Sequence, residues 1–268
     1  MRFAVKGDSH LGKSMGMFSR TEEIRRVYNA IIDRCIKEEV SALVDLGDIF
    51  DGNRPSSDLI SMFLRWVTRL TEAGIDYIVT EGNHEKVHQP GRRSALEVLE
   101  AANFDPEKVH VSSWPEVFSI RQSALCILVP WVTRIEVKTR EGAFEHKSMS
   151  DWLDGVLNEK QMLGSLRGCD LQERFQPIYL FGHVNLKGAT VGKNIPYEPD
   201  DYVLPDWVLG DESPLDGIIV GHIHKTQIIQ REPVPTMVLG TPHFNDFGEI
   251  GHDKGFVIID TSRARRKS

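Results

Sequence analysis

The chain has 268 residues, 40% hydrophobic and 26% charged, with a formal net charge of −7. Those values are ordinary for a soluble globular protein, and the length suits one large domain or two small ones. No apolar stretch reaches the length of a membrane-spanning helix, and an acidic balance argues mildly against a nucleic-acid binder, where a basic footprint is usual.

In chain order, Arg2 to Lys6 reads as a strand that ends in Gly7-Asp8-Ser9-His10-Leu11-Gly12. It follows the N-terminus directly, without a secretory signal. Cys35, Cys126 and Cys169 lie far apart and none is spaced as a metal pair, so a cytoplasmic protein with reduced thiols is expected. Ser19-Arg-Thr-Glu22 has the pattern of a capping box, opening a helix with Ile24, Val27, Ile31 and Cys35 on one face. Ala42 to Leu46 is apolar except for Asp45, as a strand buried on both faces would be. It breaks at Gly47 and delivers Asp48 to the rim of the sheet, where open α/β sheets place their ligands.

A helix is expected from Ser57 to Ala73, carrying Leu59, Ile60, Phe63, Trp66, Val67 and Leu70. That apolar surface is wide for one sheet face, so part of it is expected to meet another subunit. Gly74 to Thr80 forms the next strand, ending in Glu81-Gly82-Asn83-His84-Glu85, with a helix from Arg92 to Ala102 after it. The alternation indicates a parallel sheet with crossover helices. Val109 to Ser112, Val117 to Arg121 and Leu125 to Pro130 are strand-like, Glu136 to His146 reads as a polar loop, and Ser150 to Leu166 as a helix. Pro177 to Phe181 is a buried strand ending in Gly182-His183. Asn185 to Pro214 is a long, proline-bearing connection of the kind that is functional or mobile. Gly217 to Val220 ends in Gly221-His222-Ile223-His224, and Gln227 to Gln230, Thr236 to Leu239 and Gly255 to Asp260 close one domain spanning 1–260. The basic tail 261–268 is expected to be disordered.

The strand ends share one chemistry: Asp8 and His10, Asp48, Asn83 and His84, His183, and His222 and His224. Asp-x-His and His-x-His on extended backbone place two side chains on the same side. Each piece alone is as well explained by a turn or a solvated histidine. Together, two carboxylates, one amide oxygen and four imidazoles, with His84 left over, suffice for two ions sharing Asp48. Paired ions activate water and clamp the oxygens of a phosphate. Mixed O/N ligation without thiolate suits Mn²⁺, Mg²⁺, Fe or Zn²⁺.

These residues resemble the signature of calcineurin-like metallophosphoesterases: Asp8-Ser-His10, Gly47-Asp-Ile-Phe-Asp51, Gly82-Asn-His-Glu85, Gly182-His183 and Gly221-His-Ile-His224. His10-Leu11-Gly12, the aromatic Phe50 between two Asp, and Gly240-Thr-Pro242 followed by Glu249 and Lys254-Gly-Phe256 are similar to SbcD-type nucleases. The resemblance implies an α/β fold of four layers, a two-sheet β sandwich flanked by helices, and a metal-dependent phosphodiesterase acting on DNA. It places Asp8, His10, Asp48 and His224 around one ion and Asp48, Asn83, His183 and His222 around the other, with Mn²⁺ first among the candidates. His84 would face the scissile phosphate and protonate the leaving oxygen or stabilise its charge. Glu85 would orient His84, and Asp51 would support the site. It further implies DNA and an ABC-type ATPase subunit as partners, and a homodimer through the helix 57–73.

Lys6, Arg54, Lys86, His88, Arg92 and Arg93 flank the motifs as candidate phosphate contacts, with solvated loop charges as the competing reading. Trp114, Trp131, Trp152 and Trp207 are expected in the core rather than as base-stacking platforms. Two departures stand out: Glu85 replaces the Asp usual in SbcD-type enzymes, and those enzymes continue past the Lys-Gly-Phe strand into a DNA-capping domain and an ATPase-binding segment. The acidic balance and the second departure favour an alternative with the same chemistry on a small nucleotide or phosphomonoester. A non-catalytic scaffold is the third reading, opposed by the complete set of expected ligands.

Overall fold

Ala42–Asp45 is buried at all four positions because it runs through the middle of a sheet covered on both faces. The computed structural model describes residues 1–87, 94–159, 162–163, 177–192 and 195–263. Its first half contains β1 (Arg2–Lys6), the hairpin β2 (Ser14–Met15) and β3 (Phe18–Ser19), α1 (Thr21–Lys37), β4 (Ala42–Asp45), α2 (Ser57–Glu72), β5 (Asp76–Thr80), α3 (Val98–Ala101) and β6 (Val109–Ser112). Then come β7 (Glu116–Ile120), β8 (Ala124–Val129), α4 (Arg134–Glu141), α5 (Met149–Asn158), β9 (Ile178–Gly182), the pair β10 (Thr190–Val191) and β11 (Ile195–Pro196), β12 (Gly217–Val220), β13 (Gln227–Gln230), β14 (Thr236–Val238) and β15 (Phe256–Asp260).

The strands form a five-stranded sheet, β15-β1-β4-β5-β6, and a six-stranded sheet, β13-β14-β12-β9-β8-β7. The inner pairings are parallel, and β15, β7 and β13 add antiparallel edges. Register brings the motif-bearing ends level: Lys6 pairs with Asp45 and Asp45 with Val79, while Val129 pairs with Gly182 and Gly182 with Val220. The segments that follow therefore emerge at a common rim.

Side-chain alternation builds the layers. Phe3, Val5, Ala42 and Val44 meet Cys126, Leu128, Phe181 and Ile219 between the sheets. Ala4, Leu43, Tyr77 and Val79 pack with Ile24, Tyr28, Phe63 and Trp66 of α1 and α2. On the far face Val129, Leu180, Ile218 and Val220 pack with Val137, Trp152 and Leu153 of α4 and α5. The result is the expected helix-flanked two-sheet arrangement.

Several local expectations are corrected. α1 begins at Thr21 with no side-chain cap, because Arg20 instead holds Glu23 through two hydrogen bonds of 2.7 and 2.6 Å. The polar stretch after Thr133 is helical: Thr133 and Glu136 form a reciprocal capping box that opens α4. The helix expected over 92–102 is a 3₁₀ turn, Ala95–Glu97, running into α3; residues 92 and 93 lie outside the described residues. α5 ends at Asn158, and 160–161 and 164–166 lie outside the described residues, as does Cys169.

The wide stripe of α2 is used within the chain. Phe63 and Trp66 are buried, Trp66 stacks on Tyr28 at 4.0 Å, and Phe63 meets Phe50 and Tyr77 edge-on. Leu59 and Ile60 of the same stripe are half-buried against this cluster. At the other end, the Thr261 backbone N–H donates to the Met1 carbonyl at 2.8 Å, and 264–268 of the expected tail lie outside the described residues. Among the described residues no helix is long and apolar enough to cross a membrane.

Candidate metal centre

The site forms where the two sheets' parallel strands end. Two close approaches require glycine. A Cβ on Gly82 would overlap Asp48 Oδ1, and one on Gly221 would come within 2.5 Å of Asp8 Oδ1. His10, Asp48 and His222 themselves have positive φ angles of 45°, 49° and 76°, a conformation costly for residues with a Cβ and concentrated at functional sites. Gly82→Ala is expected to displace Asp48 and weaken Mn²⁺ binding by about tenfold or more; calorimetric titration of the metal-stripped variant checks it.

The structure brings the residues read from the motifs into one cluster. His10 Nε2 lies 3.0 Å from His224 Nε2, and His224 Nε2 is 3.8 Å from Asp8 Oδ2. Asn83 Oδ1 lies 2.9 Å from both His183 Nε2 and His222 Nδ1. Asp48 Oδ2 stands between the halves, 3.8 Å from His10 Nε2 and 3.5 Å from His183 Nε2. Among the described residues, two groups have the compactness to hold an ion: Asp8, His10 and His224, and His10, Asp48 and His84. The second includes His84, which the sequence reading placed outside the ligand set.

The donor chemistry fits divalent ions. His183 Nδ1 donates to the Leu46 carbonyl at 2.8 Å, which leaves Nε2 as a lone pair turned to Asn83 and Asp48. Burial and the neighbouring His183 push His222 down to about 4, so its ring is neutral near pH 7. Burial likewise lowers His10. Burial opposes ionisation of Asp48, but His183, His10 and His84 hold its carboxyl below the usual range. Imidazole nitrogens, an amide oxygen and two carboxylates converging within 3.8 Å make a donor set suited to divalent cations.

His84 is one-third exposed at its side chain, facing the opening of the site. Its Nδ1 donates to the backbone carbonyl of Asp51 at 2.8 Å, its backbone N–H donates to Asp48 Oδ1 at 2.9 Å, and its Nε2 lies 4.0 Å from Asp48 Oδ2. Glu85 does not orient this ring, contrary to expectation. Its buried carboxylate accepts from the N–H groups of Asp48, Gly82 and Phe50 at 2.9, 2.9 and 3.2 Å, pinning two motif loops together. Adjacent residues in a tight loop point apart, and Glu85 points into the protein. Burial and Asp48 push it up to about 8. Asp51 supports the site, with Oδ1 3.3 Å from His10 Nδ1 and 3.1 Å from Lys13 Nζ.

The proposed phosphate contacts divide. Lys6 and Lys86 are buried in ion pairs, with Asp45 at 2.7 Å and with Glu81 and Glu136 at 2.7 and 2.8 Å, and are not available to substrate. Arg54 is exposed on the loop after Asp51, and His88, Arg92 and Arg93 lie outside the described residues. Trp152 is buried in the core as expected, and Trp114, Trp131 and Trp207 are partly buried against it; Trp131 also lies beside His222 with ring centroids 4.8 Å apart. Sequence reasoning gave no role to Glu249, Asn245 and Lys254, which gather behind His224. Resemblance to a family's closing segment signalled Glu249 and Lys254, and nothing signalled Asn245.

A family model described as "Calcineurin-like phosphoesterase" matches residues 1–226. Among curated proteins, an SbcCD nuclease subunit of Escherichia coli K12 is 23% identical over 275 residues, covering 100% of this chain and 67% of that protein. The SbcCD nuclease subunit of the same name from Bacillus subtilis 168 is 25% identical over 274 residues, covering 97% and 66%. The chain thus spans about two thirds of the length of these relatives. Among solved structures, a dimetal phosphatase from Danio rerio superposes with a TM-score of 0.56 at 14% identity, over 96% of this chain and 91% of that one, a likeness of fold.

Proposed function

The chain belongs to the calcineurin-like phosphoesterase family and is a metal-dependent hydrolase, and on that premise we propose that it cuts DNA phosphodiester bonds using two divalent ions, Mn²⁺ first among them. The observation that carries the two-ion reading is Asp48, whose Oδ2 faces His10 at 3.8 Å and His183 at 3.5 Å. In this reading Asp8, His10, Asp48 and His224 hold one ion, and Asp48, Asn83, His183 and His222 hold the other. When bound, such ions polarise a phosphoryl oxygen and make water nucleophilic at neutral pH.

The chain's own groups do the rest. Glu85 fixes the loops that carry Asp48 and Asn83. With one proton committed to the Asp51 carbonyl, His84 presents Nε2 to the opening, where it can give a second proton to the departing oxygen. Arg54, exposed beside the site, is the described residue offered to a DNA phosphate. DNA as substrate draws its support from the nuclease subunits that align along the chain. An ABC-type ATPase subunit is the partner that the same likeness implies.

End-labelled duplex DNA and bis-p-nitrophenyl phosphate, each incubated with Mn²⁺ or with EDTA, test the reading. Both should be cut with Mn²⁺ and neither with EDTA. Cleavage of the small ester alone would remove DNA in favour of a nucleotide-sized substrate. No cleavage together with no stoichiometric Mn²⁺ binding would leave only a scaffold.

A further inference from the structure

Behind His224, on the side away from the clustered ligands, lies a closed polar circuit. His224 Nδ1 is 3.3 Å from Glu249 Oε1, while its Nε2 faces His10 and Asp8. The other oxygen of Glu249 accepts from Lys254 Nζ at 2.7 Å and from the Asn245 N–H at 2.8 Å. Lys254 Nζ also donates to Thr241 Oγ1 at 2.7 Å and to the backbone carbonyl of His224 at 3.1 Å. One ammonium therefore grips both the main chain of His224 and the carboxylate that faces its ring. Thr241, Asn245 and Glu249 are buried, so each contact is made where an unmatched polar group is costly.

The circuit has a consequence for the histidine. An ionised carboxylate only accepts, so Glu249 pairs with His224 when the ring proton is on Nδ1. Asn245 Nδ2, 3.2 Å from the same Nδ1, would require the opposite tautomer, and Asn245 Oδ1 is buried with no partner. Exchanging the amide oxygen and nitrogen, which shape does not distinguish, removes the conflict at the ring: Nδ1–H then faces two acceptors. We infer that Glu249, held by Lys254, is a positioning residue that keeps the His224 proton on Nδ1 and its Nε2 lone pair directed into the metal centre. The inference rests on the reading of His224 as a ligand. Outer partners of this kind set tautomer and ring orientation, and their loss weakens metal binding about 10–100-fold.

Calorimetric titration of Mn²⁺ into metal-stripped wild type, Glu249→Ala and Lys254→Met tests it. Each variant should lose about 10–100-fold in affinity at one of two binding events and keep the other. Two binding events of wild-type affinity in Glu249→Ala would overturn the inference while leaving the DNA reading intact. A wild type that binds two ions and spares DNA would overturn that reading and leave this inference standing. A measurement on the wild type needs no altered chain. Long-range ¹H–¹⁵N spectra of the metal-stripped protein at pH 8, with the ring assigned through His224→Gln, should show the proton on Nδ1. A proton on Nε2 would overturn the inference.

Discussion

His84→Ala is expected to slow DNA cleavage by about 10²–10⁴-fold, the range for loss of a general acid, with both Mn²⁺ binding events retained. The expectation follows from how the ring is held. Asp51 contributes a backbone carbonyl to Nδ1, 2.8 Å away, so the proton on that nitrogen is fixed and only Nε2 faces the opening. Because the anchor is main chain, replacing the Asp51 side chain does not remove it. The substrate comparison separates the two roles open to His84. A p-nitrophenolate departs without needing a proton, whereas a DNA alkoxide does not, so a proton donor makes the loss much smaller on bis-p-nitrophenyl phosphate than on DNA. Equal losses on both would reduce His84 to stabilising charge. Loss of one Mn²⁺ binding event would make it a ligand, as its closeness to His10 and Asp48 permits.

The central strands and their polar ends were legible because they combine two strong local signals. A parallel strand covered on both faces is a continuous apolar run, and Gly-Asp or Gly-His interrupts it at the point where the backbone must turn and approach its neighbours closely. α4 was not legible, for it buries only Val137, too little for a helical period to register, and its stop and start lie in the Thr133 cap and Gly142. The wide stripe of α2 was visible but its partner was not: Tyr28, on another helix, takes up Trp66. Charged residues misled for a related reason. Lys6 and Lys86 look like phosphate contacts beside their motifs; Asp45 and Glu136, which pair with them, are far off in sequence, and Glu81, the nearer partner of Lys86, carries no signal of the pairing. Glu85 was misplaced by reading adjacency along the chain as adjacency in space.

Lys6→Met is expected to lower the unfolding free energy by about 3–5 kcal/mol at pH 8, the cost of leaving one buried charge without its partner. Lys6 and Asp45 are wholly buried, 2.7 Å apart, on the helix-facing side of adjacent strands. Tyr28 and Tyr77 add hydroxyl donors at 2.9 and 2.8 Å to the same carboxylate oxygen, Oδ2, and Oδ1 has no partner. Burial pushes Asp45 up from its ordinary value, and the lysine is the main group opposing that rise. Without it Asp45 rises further. A group whose folded value lies above its unfolded one contributes stability that is full at low pH and lost as pH climbs through the folded value. The gap between wild type and Lys6→Met in urea denaturation should therefore narrow as pH is lowered from 8 toward 5. Adding Asp45→Asn should restore part of the loss at pH 8, because the amide oxygen still accepts from both tyrosines. A variant as stable as wild type at pH 8 would show that the pair is not ionised in the folded protein. The consequences reach the metal centre. Lys6 Nζ also donates to Ser9 Oγ and to the Gly7 carbonyl, and the N–H groups of Ser9 and His10 donate to the Asp48 carbonyl at 2.9 and 2.8 Å. The buried cation thus braces the turn that carries Asp8 and His10, and the variant should lose Mn²⁺ affinity along with stability.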